Sequence, residues 1–495
     1  MNDDDNMNKI VFNEVNQEIE NLNKSEKKKE NENLAETQKD FSAKNKVNNT
    51  INKKNDSSYV YLLVSYCFCI FVSGFQWLSF SCIPFFSFYY ELDQWKIDFF
   101  SLIYIIEYLI LFIPEILLLE KLSTKNMFRI SALLIIIGSF FKIFINKDSS
   151  LTICYLGQII SGLSRPYLMI IPGDVAKCFK ANIKNFICIL CCLSDISGIL
   201  IGYIWNLAYI KKEELDIDIY KDHVYRYFLS EFILVFIMAI PAIFIEENEL
   251  INKTISSKKN ELIKFGKEAL ISLIKNSKFI LILISSFFIG GYYYVMSFKF
   301  IHLVSIYDID KKKSDIIYSI SVVIGIACAL VLSFIIDKYK KYKIILIILS
   351  LLSLISQALL AFLLELAESR DLNAYAISFI FYILINGSAI SFYCIIMAYI
   401  DKIAYPVTKY ISFSFIIAAT QIYNICGHFL YKYILENKEN KYICNILFSI
   451  FFFVGTLVSF FGVREEHNNE VEEENKKSNN NIDNVILIEM TSKEK

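Results

Sequence analysis

Twelve separate apolar stretches, each about as long as a membrane-spanning helix, fill the chain from about residue 58 to about residue 463. The hydrocarbon core of a bilayer is about 30 Å thick, and a helix needs roughly 20 apolar residues to cross it. Within that core a helix satisfies its own backbone hydrogen bonds, whereas irregular chain does not. The pattern therefore predicts an all-α polytopic membrane protein with twelve transmembrane helices.

The predicted helices form two groups of six. The first group covers 58–82, 99–119, 127–145, 151–172, 185–210 and 226–245, and the second covers 278–303, 315–336, 342–364, 373–399, 408–431 and 442–462. A lysine-rich polar segment, 246–277, separates the groups. Six helices, a linker and six more helices are typical of carriers built from two related halves. We expect an N-terminal half at 58–245, a cytosolic linker at 246–277 and a C-terminal half at 278–463.

Charged residues outside the helices predict the orientation of the chain. Residues 1–57 and 464–495 are rich in Asn, Lys, Glu and Asp, a composition that predicts disordered tails. Basic residues gather in the loops after even-numbered helices, and acidic residues, including Glu91, Asp93 and Asp98, gather after odd-numbered ones. Because basic loops stay inside, both tails and the linker are predicted to be cytosolic. The membrane is either the plasma membrane or an internal one.

Several function classes are disfavoured by composition and motifs. The net charge of −1 offers nothing to a nucleic acid. Because the sequence has no Walker-type loop, nucleophile elbow or metal-ligand spacing, we expect no enzyme, no cofactor and no metal site. Nearly all of the twelve cysteines lie in apolar stretches, and we interpret them as small buried side chains.

Ionisable side chains within the predicted helices are costly, so each is a candidate for function. Glu107 lies in helix 2, Arg165 in helix 4 and Asp195 in helix 5. Either carboxylate could pair with Arg165 and hold helices together, or could take part in moving substrate or protons. Lys142, near the end of helix 3, is expected to extend its amine to the membrane surface.

Two loops at corresponding places in the halves begin with an acidic residue followed by lysine. The loop after helix 8 begins with Asp337 and Lys338, and the loop after helix 2 begins with Glu120 and Lys121. An acidic residue at a helix end can bind the N-terminus of a neighbouring helix, while the lysines remain on the cytosolic face. The loop after helix 8 resembles the acidic-then-basic loop of the major facilitator superfamily. We interpret Asp337, Lys338, Glu120 and Lys121 as gating residues.

An ordered set of motifs runs along the apolar part of the chain. It comprises Phe75-Gln76-Trp77, Tyr104 and Pro114, Gly157-Gln158, Gly198-x-x-x-Gly202, Gly291 with Tyr294, and Gln421-Ile422-Tyr423. Together these motifs resemble the feline leukemia virus subgroup C receptor-related family of facilitator-type carriers. The resemblance covers about 59–462 and excludes both tails.

The resemblance implies a carrier of choline or ethanolamine, with haem export as a further activity described for the family. It implies ammonium-binding aromatic rings at Trp77 and Tyr294 and a polar contact at Gln421. The sequence departs from the family at two positions: Ser73 replaces an asparagine, and Ile196, with Asp195 beside it, replaces a glutamine. We therefore add Ser73 and Asp195 to the candidate substrate contacts, and a different amine or a different hydrogen-bond partner remains open.

The chemistry of the residues agrees with an amine substrate. A quaternary ammonium cannot donate hydrogen bonds, and an aromatic face is worth roughly 0.5–2 kcal/mol to such a cation. Haem would need an axial His, Tyr, Met or Cys, and the chain has only four histidines. We expect a monomeric carrier in the bilayer that works by alternating access and facilitated diffusion. The alternatives are a haem or porphyrin exporter, a facilitator carrier of an unassigned solute, or a receptor without transport.

Overall fold

The computed structural model describes residues 58–80, 94–122, 124–144, 152–180, 182–209, 217–245, 266–297, 311–370, 373–436 and 441–463. The chain forms two compact units, Met1–Tyr61 and Leu62–Lys495. Of the first unit, only residues 58–61 belong to the described part, as the beginning of a helix. The predicted tails and most of the predicted linker lie outside the described residues.

Twelve helices of the described residues correspond to the predicted spans, and a further helix, Lys267–Lys275, lies in the predicted linker. The twelve are α1 (Ser58–Trp77), α2 (Gln94–Lys121), α3 (Thr124–Ile143), α4 (Thr152–Gly162), α5 (Lys184–Tyr209), α6 (Ile217–Ile243), α7 (Ser277–Ser297), α8 (Lys311–Tyr339), α9 (Tyr342–Arg370), α10 (Ala374–Ile403), α11 (Lys409–Glu436) and α12 (Lys441–Gly462). All except α4 are long and apolar enough to cross a membrane. The predicted all-α polytopic fold is confirmed.

The fourth predicted helix is broken, where the sequence predicted one continuous helix over 151–172. After α4 the chain makes a turn at Leu163 and Ser164 and continues as two short helices, Arg165–Ile170 and Pro172–Lys177. Each short helix has a proline in its first positions. Proline lacks a backbone N–H and disfavours helical geometry in the residue before it, so it begins helices and interrupts longer ones.

The helices pack as two related halves. Within the N-terminal half α3 contacts α4 and α6, and within the C-terminal half α9 contacts α10 and α12. Across the halves α2 contacts α11 and α5 contacts α8. These two contacts are equivalent when the halves are superimposed in chain order, since α2 corresponds to α8 and α5 to α11. The packing thus agrees with the predicted six-plus-six arrangement.

The outward faces of the helices are apolar. On α9 the exposed large side chains follow one another at spacings of three or four residues: Ile344, Ile348, Leu351, Ile355, Leu359 and Phe362. This spacing places them on one stripe of the helix. A protein in water would cover such a stripe, whereas lipid chains solvate it.

Glycines bring equivalent helix pairs close together in the two halves. A Cβ atom built on Gly198 of α5 would lie 2.0 Å from the carbonyl oxygen of Phe71 in α1. A Cβ built on Gly291 of α7 would lie 2.6 Å from the Cβ of Tyr423 in α11. Small residues allow this close approach of membrane helices. The α1–α5 and α7–α11 seams place the residues of the candidate site.

Candidate substrate-binding site

The structure brings Trp77 and Tyr294 into contact where the two halves meet. Their ring centroids are 5.9 Å apart and the rings make an edge-to-face pair. Each side chain is 1% exposed. One ring comes from α1 and the other from α7, so both halves contribute to the contact.

Trp77 is held at the C-terminal end of α1. The helix ends at this residue, five residues before the predicted end, and continues as a turn to Phe80. The indole Nε1 donates to the carbonyl oxygen of Ser101 at 3.0 Å, and the Ser101 hydroxyl donates to the Trp77 carbonyl at 3.2 Å. Gln158 Nε2 donates to the same carbonyl at 3.4 Å. These bonds satisfy a carbonyl that the helix end leaves without a backbone donor.

Tyr294 follows a π-helical turn, Ser286–Gly290, that interrupts α7. Its hydroxyl donates to the Tyr393 hydroxyl of α10 at 3.3 Å, and the two rings make a further edge-to-face pair. Tyr292 points elsewhere, because its hydroxyl donates to Gln357 Oε1 and its ring packs on Phe448 and Phe452. The Tyr292 side chain therefore faces α9 and α12, whereas the Tyr294 ring faces Trp77.

A buried ion pair adjoins the aromatic contact. Arg165 Nη2 donates to Asp195 Oδ2 at 3.0 Å, and Nη1 lies 3.0 Å from Oδ1. The Arg165 guanidinium carbon also lies 5.4 Å from the centroid of the Trp77 ring, in cation–π contact. Both charged side chains are at least nine-tenths buried. Of the two pairings left open by the sequence, Arg165 therefore makes the one with Asp195.

Gly74 makes room for this carboxylate. A Cβ built on Gly74 would lie 2.8 Å from Asp195 Oδ1 and 2.5 Å from its carbonyl oxygen.

Glu107 lies apart from the pair: its carboxylate faces Gly162, where an added Cβ would come within 1.9 Å of Oε2. Neither Glu107 oxygen has a hydrogen-bond partner among the described residues.

Two further predicted contacts are buried near these helices. Ser73 lies one turn before Trp77, is 0% exposed, and its hydroxyl has no hydrogen-bond partner in the described part of the chain. Gln421 is 3% exposed on α11. It follows Thr420, whose methyl group would lie 3.4 Å from a Cβ on Gly290, so Gln421 lies near the α7–α11 seam.

A narrow cavity opens beside the ion pair, with room for about one water molecule. Asp195 and Tyr393 line it, together with Tyr66, Ile70, Met169, Pro172, Cys191 and Cys192. Tyr393 belongs to the C-terminal half and the other lining residues to the N-terminal half. A larger ligand would therefore enter only when the halves move apart.

Arg165 and Tyr393 are the site residues that were missing from the predicted substrate contacts. Arg165 carried a signal, since an arginine inside an apolar helix is rare and expensive. The sequence predicts it as a candidate for function and as a partner for Glu107 or Asp195, without placing it among the substrate contacts. Tyr393 carried no signal, because it is one of 31 tyrosines in the sequence.

At the predicted cytosolic side, Asp337 joins the two halves. The side chain lies at the end of α8 and accepts hydrogen bonds from Asn185 Nδ2 at 2.7 Å and from the backbone N–H of Phe186 at 2.9 Å. Both donors lie in the first turn of α5. A carboxylate at a helix N-terminus satisfies free N–H groups and interacts favourably with the helix dipole. Lys340 Nζ lies 3.4 Å from the same carboxylate.

The other predicted gating residues occupy more peripheral positions. Lys338 is exposed, with Nζ 5.2 Å from the centroid of the neighbouring Tyr339 ring. Lys121 is exposed at the last residue of α2. Glu120 precedes it in α2, and its side chain lies outside the described part of the structure.

Two expectations about charged residues were wrong. Lys142 does not extend to the membrane surface: it is 0% exposed and lies 3.1 Å from Glu231 Oε1 of α6, because a buried amine is stabilised by a carboxylate partner. Asp98 is not a loop residue, since α2 begins at Gln94. It is 4% exposed, and its Oδ2 lies 3.6 Å from His428 Nε2 of α11.

The histidines, which are possible haem or metal ligands, are dispersed in the described part of the chain. His428 faces Asp98, His223 lies on α6, and His302 and His467 fall outside the described residues. In the described ranges, no group of three or more His, Cys, Asp or Glu side chains is placed to hold a metal ion. The eleven cysteines of those ranges are free thiols.

Sequence comparisons give distant relatives. No protein family model matches the chain. A Caenorhabditis elegans protein, described as an uncharacterized MFS-type transporter, is 24% identical over 418 residues, which are 82% of this chain and 69% of the relative. The Danio rerio choline/ethanolamine transporter flvcr2b is 22% identical over 245 residues, 48% of this chain and 50% of the relative. The Homo sapiens choline/ethanolamine transporter FLVCR2 is 26% identical over 145 residues, 29% of this chain and 27% of the relative.

Solved structures with the same fold include two sugar:proton symporters. The Escherichia coli fucose:proton symporter FucP in the outward conformation has a TM-score of 0.63 and 14% identity, over 82% of this chain and 100% of that one. The proton:xylose symporter XylE bound to 6-bromo-6-deoxy-D-glucose has a TM-score of 0.63 and 16% identity, over 82% and 95%.

The described part of the chain has the fold of the major facilitator superfamily, and sequence relatives of the chain are described as transporters. Its sequence relatives confirm the more specific prediction, that it is related to the feline leukemia virus subgroup C receptor-related family. The matches span half or less of the two relatives named as choline/ethanolamine transporters.

Proposed function

We propose that the protein carries choline, ethanolamine or a closely related small amine across a membrane by alternating access. The observation that supports this most is the contact between Trp77 and Tyr294, two buried rings from different halves at 5.9 Å. Relatives named as choline/ethanolamine transporters support the same substrate class.

The chemistry of a methylated ammonium explains why rings from two halves suit such a carrier. The cation cannot donate hydrogen bonds, so its affinity comes from aromatic faces, each worth roughly 0.5–2 kcal/mol. When the two rings belong to different halves, movement of one half against the other brings the rings together or separates them. Asp195, Ser73 and Gln421 are the polar groups that we propose for the remaining substrate contacts.

Asp337 is the residue that we propose closes the cytosolic side. Its two hydrogen bonds to the first turn of α5 connect the halves there, and they must break before the cavity opens to the cytosol. Lys338, Glu120 and Lys121 are proposed to assist as loop charges. We further propose that both tails and the linker face the cytosol and that the protein is a monomer.

The membrane potential alone can drive uptake of a cation. One elementary charge gains about 2.3 kcal/mol per 100 mV, enough for severalfold accumulation without a coupled ion. We therefore expect facilitated diffusion. Uptake should collapse on depolarisation and be unchanged by external pH, whereas a pH-driven uptake would show proton coupling through Glu107 or Asp195.

Labelled choline and ethanolamine uptake in a transporter-null host tests the proposal. Trp77→Ala and Tyr294→Leu should each raise KM by about two- to thirtyfold, because each removes a ring face worth about 0.5–2 kcal/mol. Tyr294→Phe keeps the ring and should retain most uptake. Trp205→Ala is the matched control, since Trp205 packs against Phe75 and bonds Ser230 outside the cluster.

Uptake is normalised to surface expression of each variant. Normal uptake by Trp77→Ala would contradict the aromatic site. Inhibition of choline uptake by haem at stoichiometric concentration, together with haem efflux, would favour the alternative exporter.

A further inference from the structure

The charges beside the aromatic rings limit what kind of amine the site can take. Arg165 and Asp195 neutralise one another at 3.0 Å, and both are buried beside Trp77. A plain cation that enters this neutral cluster adds one net positive charge to a buried region, which is costly. The same cation must also compete with the Arg165 guanidinium, which already covers the Trp77 ring at 5.4 Å.

A molecule that carries both charges avoids these two costs. Its acidic group can bind Arg165 by the same two-pronged geometry that Asp195 now uses. Its ammonium can then take the place of Arg165 beside Asp195 and against the ring faces. The net charge of the cluster is zero before and after binding. Two ion pairs replace one, and no buried charge is left without a partner.

We propose that the preferred substrate is a small zwitterion, an ammonium compound that also carries a carboxylate or another acidic oxygen group. This inference rests on the proposed function, because it keeps the aromatic amine site and adds a second charge to its ligand. Arg165 is then a specificity-determining residue that recognises the acidic group. Asp195 and the rings of Trp77 and Tyr294 recognise the ammonium.

Two matched pairs of probes separate a zwitterion from a cation. Glycine betaine and choline share a trimethylammonium group and differ in a carboxylate against a hydroxymethyl group. Glycine and ethanolamine differ in the same way with a primary ammonium. The full-length protein in proteoliposomes, with no membrane potential imposed so that choline gains no extra driving force, should transport betaine with at least about tenfold higher uptake efficiency than choline, since one ion pair to a buried arginine exceeds that threshold.

Arg165→Gln should reverse this preference. Betaine uptake should fall at least about tenfold because its carboxylate loses the guanidinium, whereas choline uptake should persist or rise because the guanidinium no longer competes for Asp195 and the Trp77 ring. Arg226→Gln is the matched control. Arg226 is 65% exposed on α6, its ion pair with Asp222 is also exposed, and the substitution should leave the ratio unchanged.

A second variant keeps the test usable if Arg165→Gln misfolds, because that substitution leaves Asp195 buried without its charged partner. Arg165→Gln/Asp195→Asn removes both charges, keeps similar volumes, and should also abolish the betaine preference. If the wild type transports choline as well as or better than betaine, or if both variants keep the betaine preference, the zwitterion inference is overturned and the amine carrier stands. If none of the four probes is transported or competes, the proposed function fails as well.

Discussion

The two halves contribute different chemistry to the same central cluster. The N-terminal half supplies Trp77 and the Arg165–Asp195 ion pair, whereas the C-terminal half supplies Tyr294 and Tyr393, joined through their hydroxyls. The helix seams that carry them are equivalent, α1 with α5 and α7 with α11, and both depend on glycine. The repeat is therefore kept in the backbone packing, while the side chains have diverged into a charged side and an aromatic side.

This difference matters because the two kinds of contact respond differently to damage. Removing one member of a buried ion pair leaves an uncompensated charge. Removing one hydroxyl from a pair of tyrosines leaves a neutral group that loses one weak bond. We expect substitutions on the N-terminal side of the cluster to lower the stability of the protein. Substitutions on the C-terminal side should mainly weaken ligand binding.

The largest effect is expected for Asp195→Asn, which leaves the Arg165 guanidinium buried without its carboxylate. The protein should lose about 3–5 kcal/mol of stability, seen as a lower thermal unfolding midpoint in detergent. Tyr393→Phe, on the other side of the cluster, should lose only about 0.5–1.5 kcal/mol.

The control for that comparison is Asp222→Asn. Its ion pair with Arg226 is exposed, and such pairs contribute about 0–1 kcal/mol. If the midpoints of Asp195→Asn and Tyr393→Phe fall equally, the two sides of the cluster do not differ in the way described.

The glycine seams give the next largest effect. Gly198→Ala places a methyl group 2.0 Å from a backbone oxygen of α1, which can move only with its helix, and should cost about 1–3 kcal/mol or more. Gly291→Ala meets the Tyr423 Cβ at 2.6 Å, an atom that also moves only with its helix, and should cost less because the overlap is smaller than the one at Gly198.

Gly387→Ala is the control for both seams. Its nearest neighbour would be Ile324 at 4.0 Å, so alanine should be neutral or stabilise α10 by about 0.5–1 kcal/mol. Thermal midpoints of the three variants check the order. A larger loss at Gly291 than at Gly198 would mean that the α7–α11 seam is the less adaptable one.

Asp337→Ala should loosen the cytosolic contact between the halves. It removes a carboxylate that accepts two hydrogen bonds from the start of α5, each worth about 1.5–3 kcal/mol for a charged acceptor. Cys188 lies 1% exposed one turn further along α5 and can report opening. With Cys188 as the single cysteine, a membrane-impermeant thiol reagent on the cytosolic side should label it at least about tenfold faster.

Lys341→Ala is the comparison for the Asp337 variant, because Lys341 is an exposed lysine of the same loop. Its labelling rate should match the wild type. Equal rates for all three proteins would show that the Asp337 contact does not control access to this side.

The smallest stability effect is expected for Ser73→Ala. The Ser73 hydroxyl is buried without a hydrogen-bond partner among the described residues, so its removal should change stability by about 1 kcal/mol or less. If the hydroxyl contacts substrate, KM should rise while the thermal midpoint stays constant. A lower midpoint with constant KM would make Ser73 a structural residue only.

Much of the fold could be predicted because the bilayer imposes a length and a composition on each span. The predicted helices α5, α9 and α12 agree with the structure at their starts to within one residue. The break after Gly162 was missed, although Pro166 and Pro172 were visible, because apolar composition continues through it. The early start of α2 was missed because polar residues such as Asp98 resemble a loop until their buried partner is known.

The candidate site could be predicted only in part. Trp77 and Tyr294 were identified through motifs, and their contact is a finding of the structure. Tyr393 could not have been selected among the many tyrosines. The pairing of Lys142 with Glu231 was equally hidden, since 89 residues separate them in the chain.

The sequence by itself determined that this chain crosses a membrane repeatedly as two groups of helices, because each span must exclude water and satisfy its own backbone. Only the tertiary structure decided which charges neutralise each other and which rings meet, because those choices depend on how helices far apart in the chain are rotated and seated against one another.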